Sequence, residues 1–323
     1  MSKVRRLIFR LPVWRVVLFI LLLIAGLIIL TEMTLRVAGG ILYRPIRAEV
    51  ARLEKPRPNT FRILCSGDSH TYGMDAPADL SYPRQLGNLL NSRSLKTGYQ
   101  VVNGGVPGFN SSQALRQIKE TLEKPESRPD LVIVCAGKNN DHNFQEARFW
   151  REETLKTQPI RAQVRELLER SKTYQLGKIT VYNLQRSLGS DHDLQYSSLI
   201  KDDEFLTRWL IQDYGEMIET VRQKNVHILF LNYFLACRSV DDALQSTAKK
   251  YGVGFVDVRS FRQPFGLTMK LVGDTLHPNE KGYAAIARFV ADALMENGLI
   301  PDSPKYAAPF STQPEVPPTG AGQ

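Results

Sequence analysis

Apolar residues follow three different patterns along this chain. The first has no period: Val16 to Leu30 is uninterrupted for fifteen residues, and Leu11 to Thr31 makes twenty-one with Arg15 as its one charge. That length predicts a membrane-crossing helix over residues 11–31, because about 20 apolar residues span the hydrocarbon core and Arg15 can reach the headgroups from near one end. The run is apolar on every face, which suits a buried core helix poorly. The second pattern starts at residue 61, where short, nearly continuous apolar runs alternate with amphipathic stretches. The runs Phe61–Cys65, Tyr99–Val102, Leu131–Cys135, Val226–Leu231 and Gly254–Val258 read as strands buried on both faces of a parallel sheet. Pro83–Asn91, Ser112–Glu123, Asp203–Gln223 and Glu280–Asn297 read as helices, Asp203 offering an N-cap and Gly298 a stop. Strands alternating with helices predict an α/β sandwich, a parallel sheet covered on both sides, over residues 61–300. The third pattern is loss of periodicity. Residues 32–60 read as a tether, 143–202 as an insertion or lid with one helix at Ile160–Ser171, and 301–323 as a disordered tail rich in Pro, Gly, Ser and Thr. No internal repeat is visible.

The composition, 43% hydrophobic and 23% charged, is that of a globular protein with material enough for a core. A net charge of +9 invites a nucleic-acid reading, but its distribution argues against one. Residues 1–57 hold eleven cations and three acids, a surplus of eight, which leaves the remainder close to neutral. A nucleic-acid face needs its cations on the folded domain. Here Lys3, Arg5, Arg6, Arg10 and Arg15 precede or border the apolar run with no acid among them. The positive-inside rule then predicts residues 1–10 as cytoplasmic and the domain as exported, on a single-pass membrane protein. A cleaved signal peptide is the competing reading, with Val37-Ala38-Gly39 near a possible cut, but Glu32 and Arg36 lie between that site and the run. Cys65, Cys135 and Cys237 cannot all pair within the chain, and they read as small buried hydrophobes.

Open parallel sheets bind ligands beyond the carboxyl ends of their strands. After the first strand comes Ser66-Gly67-Asp68-Ser69-His70-Thr71-Tyr72-Gly73, where a serine on a strand-to-helix turn presents its hydroxyl and its N–H to one carbonyl. After the second comes Asn103-Gly104-Gly105-Val106-Pro107-Gly108, a tight loop whose N–H groups suit an anion. After the third comes Gly137-Lys138-Asn139-Asn140-Asp141, and an Asn amide suits an oxyanion donor. After the fifth come Asp274 and His277, three apart, so the carboxylate can fix the imidazole tautomer. Taken singly, each stretch is also an ordinary polar turn. Together they place a nucleophile, oxyanion donors and an Asp/His pair at one sheet edge. No HExxH-like spacing supports a metal, and no cofactor is expected. His70 and His142 lie beside the motifs and can approach the site; His192 and His227 read as structural.

These four segments, in this order, resemble the conserved blocks of the SGNH hydrolases, also called the GDSL family, from about Phe61 to Asn297. The resemblance implies a three-layer α/β/α sandwich with a five-stranded parallel sheet. It implies Ser69 as nucleophile, the Ser69 and Gly108 N–H groups with Asn139 as oxyanion donors, and Asp274 and His277 completing a triad. Two positions depart from the family pattern: His70 stands where Leu gives the family its name, and Asn140 stands where Asp usually follows the block-three Asn. The Gly-x-Ser-x-Gly elbow of the α/β-hydrolases is absent. The expected activity is hydrolysis of acyl esters on envelope or extracellular polymers or on lipids. An O-acetyltransferase would use the same triad, and a non-catalytic anchored module would bind a glycan or an assembly partner through the same cleft.

Overall fold

The computed structural model of the protein describes residues 12–55, 57–187, 202–260 and 277–306. In chain order its elements are α1 (Val13–Leu42), α2 (Arg44–Val50), β1 (Thr60–Gly67), α3 (Ser69–Tyr72), α4 (Tyr82–Arg93), β2 (Gly98–Gly105), α5 (Ser111–Glu123), β3 (Leu131–Cys135), α6 (Arg148–Thr157), α7 (Pro159–Glu169), α8 (Lys172–Ser187), α9 (Asp203–Gln223), β4 (His227–Leu231), α10 (Arg238–Tyr251), β5 (Gly254–Val256) and α11 (Glu280–Glu296). Among the described residues they divide into two units, one drawn from 12–44 and 158–187 and the other from 45–157, 202–260 and 277–306.

The larger unit is a three-layer sandwich around a five-stranded parallel sheet of order β2-β1-β3-β4-β5. All five residues of β3 are buried, because the central strand of a parallel sheet is covered on both faces. α4 packs on α11, and α9 packs on α5 and α10. Right-handed crossovers in this strand order place those two groups on opposite faces. The order reverses at β1, which pairs with β2 on one side and β3 on the other. That switch point is where an open α/β sheet leaves room for a ligand.

All five predicted strands and four predicted helices are present within a few residues of their expected ends. α10 was not anticipated, since its buried stripe of Ser239, Val240, Ala243, Leu244 and Thr247 is mostly small or polar and gives a weak apolar signal. Two expected boundaries move. Within the stretch read as a tether, helix continues to Val50 and a 3-10 turn spans Ala51–Glu54. There Leu53 is fully buried against Leu64 and Val102, and Glu49 pairs with Arg52 and Arg84, each at 2.8 Å. Charge and proline dominate that stretch in sequence, so one docking leucine is easily overlooked. Residues 301–306, read as the start of a disordered tail, pack on the sandwich. Tyr99 donates its hydroxyl to Asp302 at 2.7 Å, Ser303 donates to the Met295 carbonyl at 2.6 Å, and the Tyr306 ring meets Phe61 edge-on. Residues 307–323, like 1–11, lie outside the described residues.

In the smaller unit α1 runs eleven residues past the expected end of the span. It is long and apolar enough to cross a membrane, with a mean hydropathy of 2.9 and no buried residue in its most apolar window. The segment read as an insertion contributes α7 and α8 to this unit and α6 to the larger one, where one helix was expected. The three cysteines are free, Cys65 and Cys135 buried and Cys237 partly so.

Candidate active site

β1, β2 and β3 end level with one another: Gly67 pairs with Gly105 on one side and with Cys135 on the other. Their following loops therefore meet at one edge. The Asp68 N–H donates to the Cys135 carbonyl at 3.2 Å, and its carboxylate caps α3 by accepting the His70 N–H at 2.9 Å. This turn sets Ser69 as the first residue of α3, and its Oγ lies 2.8 Å from Nε2 of His277. The other half of the pair is fixed from α11. Asn279 caps that helix by accepting the Lys281 and Gly282 N–H groups, and the Tyr283 hydroxyl donates to the Met74 carbonyl at 3.0 Å. Met74 follows directly on the Ser69 turn, so this bond registers His277 against Ser69. Asp274, expected to orient His277, lies outside the described residues.

Burial lowers the pKa of His277 to about 4, the His70 ring 4.6 Å away pushes the same way, and the Asp68 and Asp75 carboxylates oppose it. At neutral pH the imidazole is uncharged, the form that can accept a proton from Ser69. The expected kcat/KM profile of an ester therefore holds level from pH 7 down to about 5 and falls with an apparent pKa near 4. A free imidazole would place that limb near 6.5. A kcat/KM titration from pH 3.5 to 8 distinguishes the two.

Gly108 adopts φ +81°, a left-handed conformation suited to glycine, and a Cβ built on it would meet nothing within 4 Å. Its carbonyl accepts from Asn143 at 2.7 Å. Among the described residues neither the Gly108 nor the Ser69 N–H has a hydrogen-bond acceptor. Asn139 stands in the turn Lys138–Asp141, where its amide donates to the Phe109 carbonyl at 2.8 Å and, at 3.4 Å, to Asp68 Oδ2. It thus lies between the loop carrying Gly108 and the turn carrying Ser69. His142 bonds the neighbouring Asp141 carboxylate, and no group of three or more His, Cys, Asp or Glu side chains able to hold a metal exists among the described residues.

Residues 65–285 match the model of the GDSL-like Lipase/Acylhydrolase family. The chain belongs to that family. It is 26% identical over 247 residues to an acetylxylan esterase of Xylanibacter ruminicola, covering 74% of this chain but only 44% of that relative. Among solved structures it is similar to a lipase/acylhydrolase from Enterococcus faecalis, at 13% identity and a TM-score of 0.45 over 73% of this chain and 95% of that one. It is also similar to a two-domain esterase active on acetylated mannans, at 14% identity and a TM-score of 0.46 over 83% and 57%.

This family member carries supporting residues that the sequence did not single out. Tyr233, two residues past β4, donates its hydroxyl to Asp68 Oδ2 at 2.6 Å and accepts the Lys138 N–H at 3.0 Å. One buried hydroxyl thereby fixes the Ser69 turn and the Asn139 turn to each other. The strand-end rule pointed at this position, but Asn232-Tyr233-Phe234 resembles no motif. The Asn140 departure also has a structural counterpart. Asn140 is buried, accepts the Ser111 N–H at 2.9 Å and donates to the Ser111 hydroxyl at 2.7 Å. Ser111 in turn donates to Asp213, which also receives Ser112 at 2.7 Å and the Trp209 indole at 3.0 Å. A carboxylate at position 140 would have no proton to give Ser111; the amide does, and Asp213 supplies the negative charge instead.

Burial raises the Asp213 pKa to about 6 against the hydroxyl and indole donors that lower it. Between about pH 4 and 6 the folded protein therefore binds more protons here than the unfolded chain, so stability falls as pH rises through that window. Relative to Asp213→Asn, the wild-type protein is expected to lose on the order of 3 kcal/mol between pH 4 and pH 7. Urea unfolding of both at the two pH values measures the difference.

Proposed function

We propose that this chain is a serine ester hydrolase, held at a membrane by α1 and acting on acyl, foremost acetyl, esters of an envelope or extracellular polysaccharide. The observation that carries the reading is the 2.8 Å contact between Ser69 Oγ and His277 Nε2 at the sheet's switch point. Ser69 Oγ attacks the ester carbonyl as His277 takes its proton, Asp274 orients His277, and the alcohol leaves with the proton that His277 returns. The Ser69 and Gly108 N–H groups stabilise the tetrahedral oxyanion, and the Asn139 amide joins them by giving up its long contact to Asp68. Water then attacks the acyl-enzyme by the reverse proton path. The acetyl group and the polysaccharide are supported by the name of the curated relative, an acetylxylan esterase. The anchor, and an exported catalytic unit, are supported by the apolar α1 preceded by basic residues.

The experiment is acetate release from acetylated xylan by the full-length chain in detergent micelles, run beside p-nitrophenyl acetate, butyrate and octanoate. Acetate release, with activity falling from acetyl to octanoyl, is the expected result. Preference for octanoate would replace the polysaccharide with a lipid ester. Acetate passed to added oligosaccharide in place of water would make the chain a transferase. No turnover of any ester by folded protein would reject the enzymatic reading.

A further inference from the structure

The smaller unit is built inside out. α7 carries Ile160, Val164, Leu167 and Leu168 at the i, i+4, i+7, i+8 spacing of one helical face, the pattern of a helix that buries that face. Yet all four are exposed, Ile160 by 78% and Leu167 by 70%. Among the described side chains of α7 the buried one is polar: Glu169 is buried, its carboxylate receives Lys178 of α8 at 2.6 Å, and its carbonyl accepts from Gln175 at 2.6 Å. A helix pair that joins through ions and presents its aliphatic side outward is arranged for an apolar surrounding.

The joint between these helices is fastened to α1. The Glu32 carboxylate accepts the Lys172 and Thr173 N–H groups at 3.1 and 2.9 Å, and the Ser171 and Thr173 hydroxyls at 2.9 and 3.0 Å. Glu32 therefore caps α8 from a different helix, satisfying N–H groups that a helix start leaves open. Arg36, ion-paired to Glu32 at 2.6 Å, donates to the Arg170 carbonyl at 3.0 Å. Glu32 and Arg36 are the first charged residues after the apolar run ends at Leu30. They mark the level at which a spanning α1 leaves the hydrocarbon, and they hold the α7–α8 joint at that level.

We propose that α7 lies in the membrane interface beside α1, with its Ile160–Val164–Leu167–Leu168 face in the acyl-chain boundary of the same leaflet. The proposal rests on the reading of α1 as a membrane anchor. The lipid surface is favoured over a second protein because the exposed face belongs to the same unit as the apolar surface of α1, and because the Glu32 contacts fix its depth. Arg36, Arg170 and Lys172 gather at the joint and suit anionic headgroups.

The test uses the full-length chain in vesicles of phosphatidylethanolamine and phosphatidylglycerol, in a Cys237→Ser background, with nitroxide labels at Leu167→Cys, Ile160→Cys, Leu22→Cys and Leu95→Cys. Leu22 lies in α1, and Leu95, 99% exposed, reports the aqueous phase. Collision with oxygen relative to a water-soluble nickel chelate is expected to be several-fold higher at 160 and 167 than at 95, approaching the value at 22. In Glu32→Ala, 160 and 167 are expected to shift toward the value at 95 while 22 stays unchanged. Labels at 160 and 167 that behave as at 95, with 22 in lipid, would overturn the proposal and leave the anchor standing. A label at 22 that is itself aqueous would remove the anchor, and the proposal with it. Labels at 160 and 167 shielded from both reagents and broadened by a neighbouring spin would assign the face to a second copy of the chain instead.

Discussion

Replacing Ser69 with alanine is expected to lower kcat for acetyl esters by about five to six orders of magnitude, and His277→Ala by a similar factor. The double variant should be little worse than either single one. The reason is the geometry of one proton: Ser69 Oγ lies 2.8 Å from His277 Nε2, and in the proposed mechanism neither group has a use without the other. A residual rate above the uncatalysed one, about 10³-fold, is expected to survive in all three, because the N–H groups around Gly108 and Ser69 do not depend on the pair. Stability should barely respond, since Ser69 is only partly buried and makes no side-chain bond but this one among the described residues. The measurement is single-turnover hydrolysis of p-nitrophenyl acetate by the three variants, with melting temperatures alongside. Multiplicative losses in the double variant would mean that Ser69 and His277 act independently, and the proposed mechanism would fail.

The sheet and its ends were legible in the sequence because they rest on local signals. Leu131–Cys135 is continuously apolar, which only a strand covered on both faces explains economically, and the loops that follow such strands form the working edge. From there the loops that carry Ser69, Gly108 and Asn139 could be read as neighbours before any coordinates, while Gly108 and Asn139 themselves were singled out by the resemblance to the SGNH hydrolases. What was not legible depends on distant partners. Tyr233 acquires its role from Asp68 and Lys138, 165 and 95 residues away in sequence. Asp213 sits mid-helix, where a lone acid reads as a solvated position; its burial follows only once α5 supplies Ser111 and Ser112. α7 was visible by its period, but the period does not say which way the apolar face points, and here it points outward. The stretch 45–54 was misread for a related reason: its charges are real, but Leu53 decides where it goes.

Gly105→Ala is expected to be among the most damaging changes outside the reacting groups. A Cβ at this position would stand 2.1 Å from the Tyr72 nitrogen, 2.5 Å from the Thr71 carbonyl carbon and 2.7 Å from the Tyr72 Cα. All three are backbone atoms of α3, so no rotamer relieves the clash; β2 and α3 must separate. Overpacking of this kind costs about 1–3 kcal/mol or more. The displacement passes directly to Ser69, the first residue of α3, while His277 stays with α11. A misplacement of about 1 Å between reacting groups costs on the order of 10² in rate, so kcat should fall at least that far even in the folded fraction. Gly108→Ala is the informative contrast. Nothing lies within 4 Å of its Cβ position, and its cost comes from φ +81°, about 1–2 kcal/mol for a residue other than glycine. Its N–H would tilt only slightly, so its kcat should fall less than that of Gly105→Ala. Urea midpoints and active-site titration with a fluorophosphonate separate the effects: Gly105→Ala should label slowly even at full folding, Gly108→Ala at nearly the wild-type rate. Equal labelling rates in the two variants would mean that α3 accommodates the methyl without moving Ser69, and that the close approach at Gly105 serves packing alone.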